Sequence, residues 1–305
     1  MKAIRIHAFG APAVLTLEDL DKPAPTGGKL LIRVAAASVN PVDYKIRQGK
    51  FPGVKAGDLP VTLGRDVAGV VETAGGEFEV GDAVYAHLDW ADGGYADYAL
   101  CAPTGVALKP KSLDMTAAAA VPLAGATAWQ GLFDHGGIKA GERVLIHGGS
   151  GGVGGFAVQF AKAHGAHVIA TASGDGVALV KTYGADEVVD YKQQKFEEVA
   201  TDIDLVLDLI GGETQDRSFA VLKRGGRLIS TVQDPDKARL AAMGLTGQRF
   251  MASPNGGELM AMAALIDAGA VKVAVSRTFP LAKAAEAHAF LEDEHPNGKV
   301  VLVVG

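Results

Sequence analysis

The chain has a single cysteine, Cys101, among 305 residues. One thiol closes no intrachain disulfide, which fits a reducing compartment, and it cannot furnish the four-cysteine set of many structural zinc sites. Basic residues are in the minority: 29 Lys and Arg stand against 35 Asp and Glu, for a formal net charge of −6. No basic field is available to hold nucleic acid or an acidic membrane surface. Long hydrophobic runs are missing too. The longest apolar stretch, around 117–126, is Ala-rich and broken by Pro122 and Gly125, well short of the roughly 18 residues of a membrane span. The opening "MKAIRIHAFGAP" alternates like a strand, and no apolar h-region follows its early charges, so no signal peptide is expected. A cytoplasmic protein with no internal repeat, low-complexity linker or disordered tail is the expectation.

What is plentiful is glycine, with 40 residues, six of them in the nine-residue stretch "HGGSGGVGG" (147–155). It follows the apolar run "RVLI" (143–146) and precedes the helically patterned "FAVQFAKAHG". Glycine loses more conformational entropy on folding than any other residue, so such a cluster needs a reason. Gly149, Gly151 and Gly154 stand in G-x-G-x-x-G register in a strand–turn–helix context. That arrangement brings bare backbone, including Ser150, Gly152 and Val153, up to a pyrophosphate at a helix N-terminus.

Around this motif the chain changes character. Up to about residue 114 it is β-rich, with "LLIRVAAASV" (30–39), "VAGVVETA" (67–74) and "DAVYAHL" (82–88) separated by Gly, Pro and Asp turns. Strands at 143–146, 167–173, 187–191, 204–210 and 227–232 then alternate with helices, which implies right-handed crossovers and a doubly wound parallel sheet. "QRFMAS" (248–253) is expected to add a short sixth strand with an open edge. An amphipathic helix over 258–269 is followed by strand, helix and strand to the C-terminus. The expected class is α/β: a nucleotide-binding domain at 115–269 inserted between two parts, 1–114 and 270–305, of a β-rich domain.

The segments "AAASVNPVDYKIRQG", "LGRDVAGVV", "GGYADYAL", "VPLAGATAWQGL", the glycine stretch with its helix, "GADEVVDY", "FPLAKAAEAHAFLE" and "GKVVLVV" stand in characteristic order and spacing. Over essentially its whole length the chain resembles the medium-chain dehydrogenase/reductase superfamily, in its zinc-independent quinone oxidoreductase-like branch. The resemblance implies a GroES-like catalytic domain with a Rossmann domain, an active site in the cleft between them, and commonly a homodimer. It also implies NADPH-dependent reduction of quinones or α,β-unsaturated carbonyls.

Metal ligation can be weighed from residue types alone. A catalytic zinc needs three protein ligands from Cys, His and Asp/Glu. Zinc-dependent relatives carry a Cys where this chain has Asn40, and a His–Glu pair where it has Arg65 and Asp66; an ion pair between those last two is expected instead. With no metal to polarise a carbonyl, acceptors electrophilic in themselves are favoured. Asn40 is the candidate donor to a carbonyl oxygen that gains charge. Tyr44, Lys45 or water is left as the proton source, since many relatives place a tyrosine where Lys45 stands. Asp43 is expected to cap the helix that follows. His147 is taken as a strand-end residue and Cys101 as core.

The cofactor candidates are Asn40, Thr127, the loop residues Gly149 to Gly154, Ser173, Tyr191, Ile210, Gly211, Thr231, Val232 and Lys299. Thr127, Tyr191 and Lys299 come from the resemblance, although a solvated surface lysine is an equal reading of Lys299. Strand ends at 209–212 and 230–233 line a nucleotide crevice in any such sheet. Ser173 lies nineteen residues past Gly154, where NAD-binding sites place an acid; a hydroxyl there suits the 2′-phosphate of NADPH. Asp175 is near enough to serve NADH instead, and no basic residue stands between Ser173 and Lys181. Two alternatives stay open: an enoyl-thioester reductase, weakened by the lack of a basic cluster to dock an acidic carrier, and a non-catalytic NADPH-binding redox sensor.

Overall fold

The computed structural model describes residues 1–305. β1 (Lys2–Ile6) pairs antiparallel with β2 (Thr16–Asp19), and the long β3 (Leu30–Val39) follows. Next come α1 (Pro41–Arg47), β4 (Val61–Thr62), β5 (Asp66–Thr73), β6 (Ala83–His87), β7 (Tyr98–Cys101) and β8 (Val106–Leu108). Helices α2 (Met115–Ala119) and α3 (Pro122–Trp129) lead to β9 (Arg143–Ile146), α4 (Gly152–Ala163) and β10 (His167–Ala172). α5 (Asp175–Thr182), β11 (Glu187–Asp190), β12 (Ile203–Asp208), α6 (Gly212–Ser218) and β13 (Leu222–Ser230) continue the alternation. α7 (Lys237–Met243), β14 (Thr246–Arg249), α8 (Gly256–Asp267), β15 (Val275–Pro280), α9 (Ala284–Glu294) and β16 (Lys299–Val303) complete the chain.

Packing divides it into two units. One comprises Met1–Ala126, Ser253–Ala268 and Val273–Gly305; the other comprises Thr127–Ala252 and Gly269–Lys272. The inserted unit therefore begins and ends differently from the expected 115–269. Residues 115–126 and 253–268 stay with the β-rich unit because hydrogen bonds hold them there. The backbone N–H of Leu123 donates to Asp66, the Tyr85 hydroxyl donates to the Leu259 carbonyl at 2.5 Å, and Asp267 accepts from Ser112.

The β-rich unit carries a sheet ordered β15-β16-β3-β5-β6-β8, with β7 also paired to β3, and a smaller β2-β1-β4 sheet. Its core gathers Ile32, Val34, Val39, Val67, Val84 and Val300 from the strands, with Leu88 just beyond β6. Cys101 lies in this core, 1% exposed, and burial pushes its thiol pKa well up.

The inserted unit is a six-stranded sheet ordered β11-β10-β9-β12-β13-β14, every pair parallel. This is the doubly wound order with its switch point beside β9. β12, "IDLVLD", is buried at all six residues, as a central parallel strand covered on both faces must be. The sixth strand lies two residues earlier than the expected 248–253. Left-handed Gly244 ends α7, so the chain enters pairing with β13 at Thr246, and Phe250 is the last residue still bonded, to the Ser230 carbonyl.

The placement of α8 is testable. Tyr85→Phe should lower stability by about 1 kcal/mol through loss of the bond to Leu259, which thermal unfolding should read as a fall in Tm of roughly 2–4 °C. An unchanged Tm would show that this bond does not hold α8.

Candidate functional site

In the inserted unit the candidate residues collect along one edge. Every parallel strand there ends in a loop at the carboxyl side of the sheet, where open α/β sheets bind ligands. β9 runs into the glycine stretch. The Gly149 N–H donates to the Thr171 carbonyl at 2.8 Å, and the Gly148 N–H donates to the Thr171 hydroxyl at 3.1 Å, which pins the turn to the end of β10. A Cβ on Gly154 would sit 2.0 Å from the Gly148 carbonyl oxygen, so only glycine fits where helix and turn cross. Gly151 is the N-cap of α4 and brings no capping side chain. The N–H groups of that first turn, from Gly152, Val153 and Gly154, are therefore left for an anion. These residues fit a dinucleotide pyrophosphate.

Next along the edge, the Ser173 hydroxyl at the end of β10 donates to the Tyr191 hydroxyl at the end of β11, 2.9 Å away. Gly174 follows with φ +54°, a left-handed conformation that turns the chain so that Asp175 begins α5, exposed. Beyond β12, buried Asp208 accepts from the N–H groups of Ile210 (3.0 Å) and Gly211 (2.8 Å), from the Gln215 amide and from the Ser230 hydroxyl. The Thr231 N–H donates to the Asp208 carbonyl, and Val232 N–H donates to the Ser230 hydroxyl. One carboxylate thus fixes both loops that carry Ile210, Gly211, Thr231 and Val232. Ile210 and Tyr191 are left more than half exposed. His147, by contrast, is buried and bonded to Ser218, with its pKa pushed down by burial to about 4. It is a neutral strand-end residue. Thr127 is partly buried on α3.

In the β-rich unit a polar cluster is buried. Asp66, 0% exposed, opens β5 and accepts from the Ser38 hydroxyl, from Asn40 Nδ2 at 2.8 Å and, on its other oxygen, from the Leu123 N–H at 2.5 Å. Lys299 donates its ammonium to Asn40 Oδ1 and lies 3.9 Å from Asp66 Oδ2. Burial pushes the lysine pKa down while Asp66 and Asp43 pull it up. Asn40 is the N-cap of α1, and its own N–H donates to Asp43 Oδ2 at 2.8 Å. The same oxygen accepts from the Tyr95 hydroxyl, while Asp43 Oδ1 has no partner. Burial lifts the Asp43 carboxyl to about 6 and holds the Tyr95 phenol far above its usual range.

Several expectations are corrected by this geometry. Asp43 does cap α1, but from the third helical position, because Asn40 and not Asp43 is the boundary residue. Arg65 does not pair with Asp66. Its guanidinium lies over Trp90 and donates to the carbonyls of Leu88 and Asp92, leaving Asp66 to Asn40 and Lys299. Lys299 is not a solvated surface lysine but 5% exposed. Asn40 and Lys299 are thus brought together, whereas the side chains of Tyr44, half-buried, and Lys45, exposed, form no hydrogen bond to the cluster. Ser38, Tyr95 and Asp208 escaped the sequence reading. Ser38, two residues before Asn40 and on the same strand face, was the one with a visible signal.

Residues 26–111 match the family of the alcohol dehydrogenase GroES-like domain, and residues 183–302 match that of zinc-binding dehydrogenases. The chain is 38% identical over 317 residues to a chloroplastic NADPH-dependent alkenal/one oxidoreductase of Arabidopsis thaliana, covering 99% of this chain and 79% of that one. It is 34% identical over 326 residues to a quinone oxidoreductase of Rattus norvegicus, with 100% and 98% covered. Among solved structures, a quinone oxidoreductase from Coxiella burnetii superposes with a TM-score of 0.92 at 35% identity, covering 100% of this chain and 99% of that one. A mycobacterial protein complexed with NADPH gives 0.86 at 32%, with 99% and 100% covered. With a relative of this similarity matched along nearly its full length and the same doubly wound and GroES-like parts present, the chain belongs to the medium-chain dehydrogenase/reductase superfamily, in its quinone oxidoreductase branch.

Proposed function

We propose that the protein is an NADPH-dependent oxidoreductase that reduces quinones or α,β-unsaturated carbonyls without a metal ion. The observation that carries this reading is the bare glycine cradle at the carboxyl edge of a parallel sheet, in a chain whose relatives are named for these acceptors. When bound, the nicotinamide supplies a hydride. The chain's own part is to hold the pyrophosphate on the first turn of α4, to present the loops fixed by Asp208, and to stabilise the charge that develops on the acceptor. The last task falls to Asn40, whose amide can donate to a carbonyl oxygen. Tyr44, kept protonated by a pKa that burial raises, and Lys45 are the candidate proton sources beside water.

Metal independence is supported by the donor set. No group of three His, Cys, Asp or Glu side chains is placed to hold a metal, and a catalytic zinc needs that many. At Asn40 and Asp66 the neighbouring cation is the Lys299 ammonium. The experiment is NADPH oxidation with a benzoquinone, a phenanthrenequinone, a short enone and an enoyl-CoA, before and after prolonged chelation. Turnover of a quinone or the short enone, unchanged by chelation, is expected. Turnover of the enoyl-CoA alone would favour the thioester reductase, and loss restored by zinc would sink the metal-free reading. NADPH binding with no turnover of any acceptor would favour a redox sensor.

For the cofactor, the Ser173–Tyr191 hydroxyl pair at the ends of β10 and β11 supports a 2′-phosphate, which an acid at that place would repel. Asp175 lies past the left-handed turn at Gly174, in α5. With one or two neutral hydrogen bonds and no arginine clamp, kcat/KM should favour NADPH over NADH by about tenfold, or about 1.4 kcal/mol. Ser173→Ala should erode that ratio and Asp175→Ala should leave it. Equal values for the two cofactors, or an NADH preference that vanishes in Asp175→Ala, would assign the ribose to Asp175.

The same unit supports a homodimer. β14 is the open edge of the six-stranded sheet, with Thr246, Gln248, Arg249 and nearby Met251 exposed; such an edge invites pairing across a two-fold axis. Light scattering at micromolar protein should return twice the 31.3 kDa chain mass. A monomeric mass would overturn the pairing.

A further inference from the structure

We propose that Lys299 is a positioning residue for the reduction: with Asp66 it clamps the Asn40 carboxamide, setting which end of the amide faces where and sharpening its N–H as a donor. The inference rests on the reading of Asn40 as donor to the acceptor carbonyl.

The sheet builds the clamp. β16, β3 and β5 are neighbours, with Val300 opposite Val39 and Ser38 opposite Asp66. That register brings the residue before Val300, the residue after Val39 and the first residue of β5 into one buried spot. A cation then meets the oxygen of a neutral amide and an anion meets its nitrogen, the two charges 3.9 Å apart. The two ends of an asparagine amide are nearly alike in shape, so its neighbours decide the orientation. Here Nδ2 donates to Asp66 at 2.8 Å and Oδ1 receives the Lys299 ammonium. A flipped amide would set oxygen against carboxylate and NH2 against ammonium, turning two attractions into two repulsions.

The clamp also accounts for the hydrogens. One Nδ2 hydrogen is committed to Asp66. The other finds only the Ser38 hydroxyl at 3.3 Å and the Ser38 carbonyl at 3.5 Å, both long for a hydrogen bond. That loosely held N–H is the one an acceptor oxygen can take over. An ammonium on Oδ1 draws electron density toward the amide oxygen and strengthens the N–H donors on the same group. The direct hydrogen bond of Lys299 goes to this neutral amide, while its nearest carboxylate oxygen stands 3.9 Å away. The buried ammonium thus gives its direct bond to the asparagine and keeps the carboxylate at ion-pair range.

A double-mutant cycle tests this. Asn40→Ala, Lys299→Met and the double variant are compared in kcat/KM for a short enone at saturating NADPH, with Tm and the NADPH dissociation constant measured alongside. If Lys299 acts through Asn40, each single variant loses about tenfold, the double also loses about tenfold, and NADPH affinity stays within about twofold. A loss near a hundredfold in the double, each effect multiplying, would overturn the clamp. So would Lys299→Met weakening NADPH tenfold with kcat intact, which marks a cofactor contact. An Asn40→Ala rate equal to wild type removes donor and clamp together. Lys299→Gln keeps an N–H for Asn40 Oδ1 and should recover most of the rate, and a glutamine variant as slow as Lys299→Met would overturn the clamp; where Lys299→Met does not fold, Lys299→Ala, which also removes the donor, carries the cycle. Absence of turnover in the wild type would instead sink the functional reading.

Discussion

A carboxylate cut off from water must be met by donors on every side, and Asp66 imposes that requirement on the β-rich unit. Its two oxygens draw on the end of β3, the first turn of α3 and, through Asn40, the start of β16. Leaving such a charge uncompensated costs several kcal/mol. A slip of one residue between β3 and β5 or between β16 and β3 would also turn each partner to the opposite face of the sheet. The polar cluster and the sheet register are therefore one constraint. The helix that begins at Asn40 inherits its position from it, and so do Asp43 and Tyr95, which hang from the Asn40 N–H through a second chain of hydrogen bonds.

The inserted unit solves a different problem with less charge. Its binding edge needs bare backbone brought close, and the contact between Gly148 and Gly154 supplies it. Such loops would wander unless tied down, so Thr171 fixes the first turn and Asp208 fixes the two loops beyond β12 and β13. Rigid strand ends present flexible residue types, and the cost of glycine is offset by anchors one layer back.

These differences explain what could be read before any coordinates. Continuous apolar runs such as "RVLI" and the glycine register announce themselves, because both follow from local spacing. The doubly wound parallel sheet followed from the alternation of elements. The homes of α2 and α8 did not, because they depend on single long-range bonds such as Tyr85 to Leu259. The site shows the same division. Asn40 and the glycines were legible as residue types in a motif. The partner of Asp66 was misassigned to adjacent Arg65, since sequence neighbours are the only neighbours a sequence displays. Lys299 joins from 233 residues beyond Asp66, and only the pairing of β16 with β3 reveals it. Asp208 gave no signal, for a buried aspartate at a strand end looks like any loop acid until its four donors are seen.

The β-carbon of an enone that accepts hydride also accepts a thiolate, so an enzyme of such acceptors works among potential alkylating agents. The thiolate is the attacking form, and it requires both exposure and a low pKa. This chain's sole thiol has neither: Cys101 is 1% exposed in the β-rich core, and its environment holds it protonated. The protein thus presents no thiolate on its surface for such acceptors to alkylate.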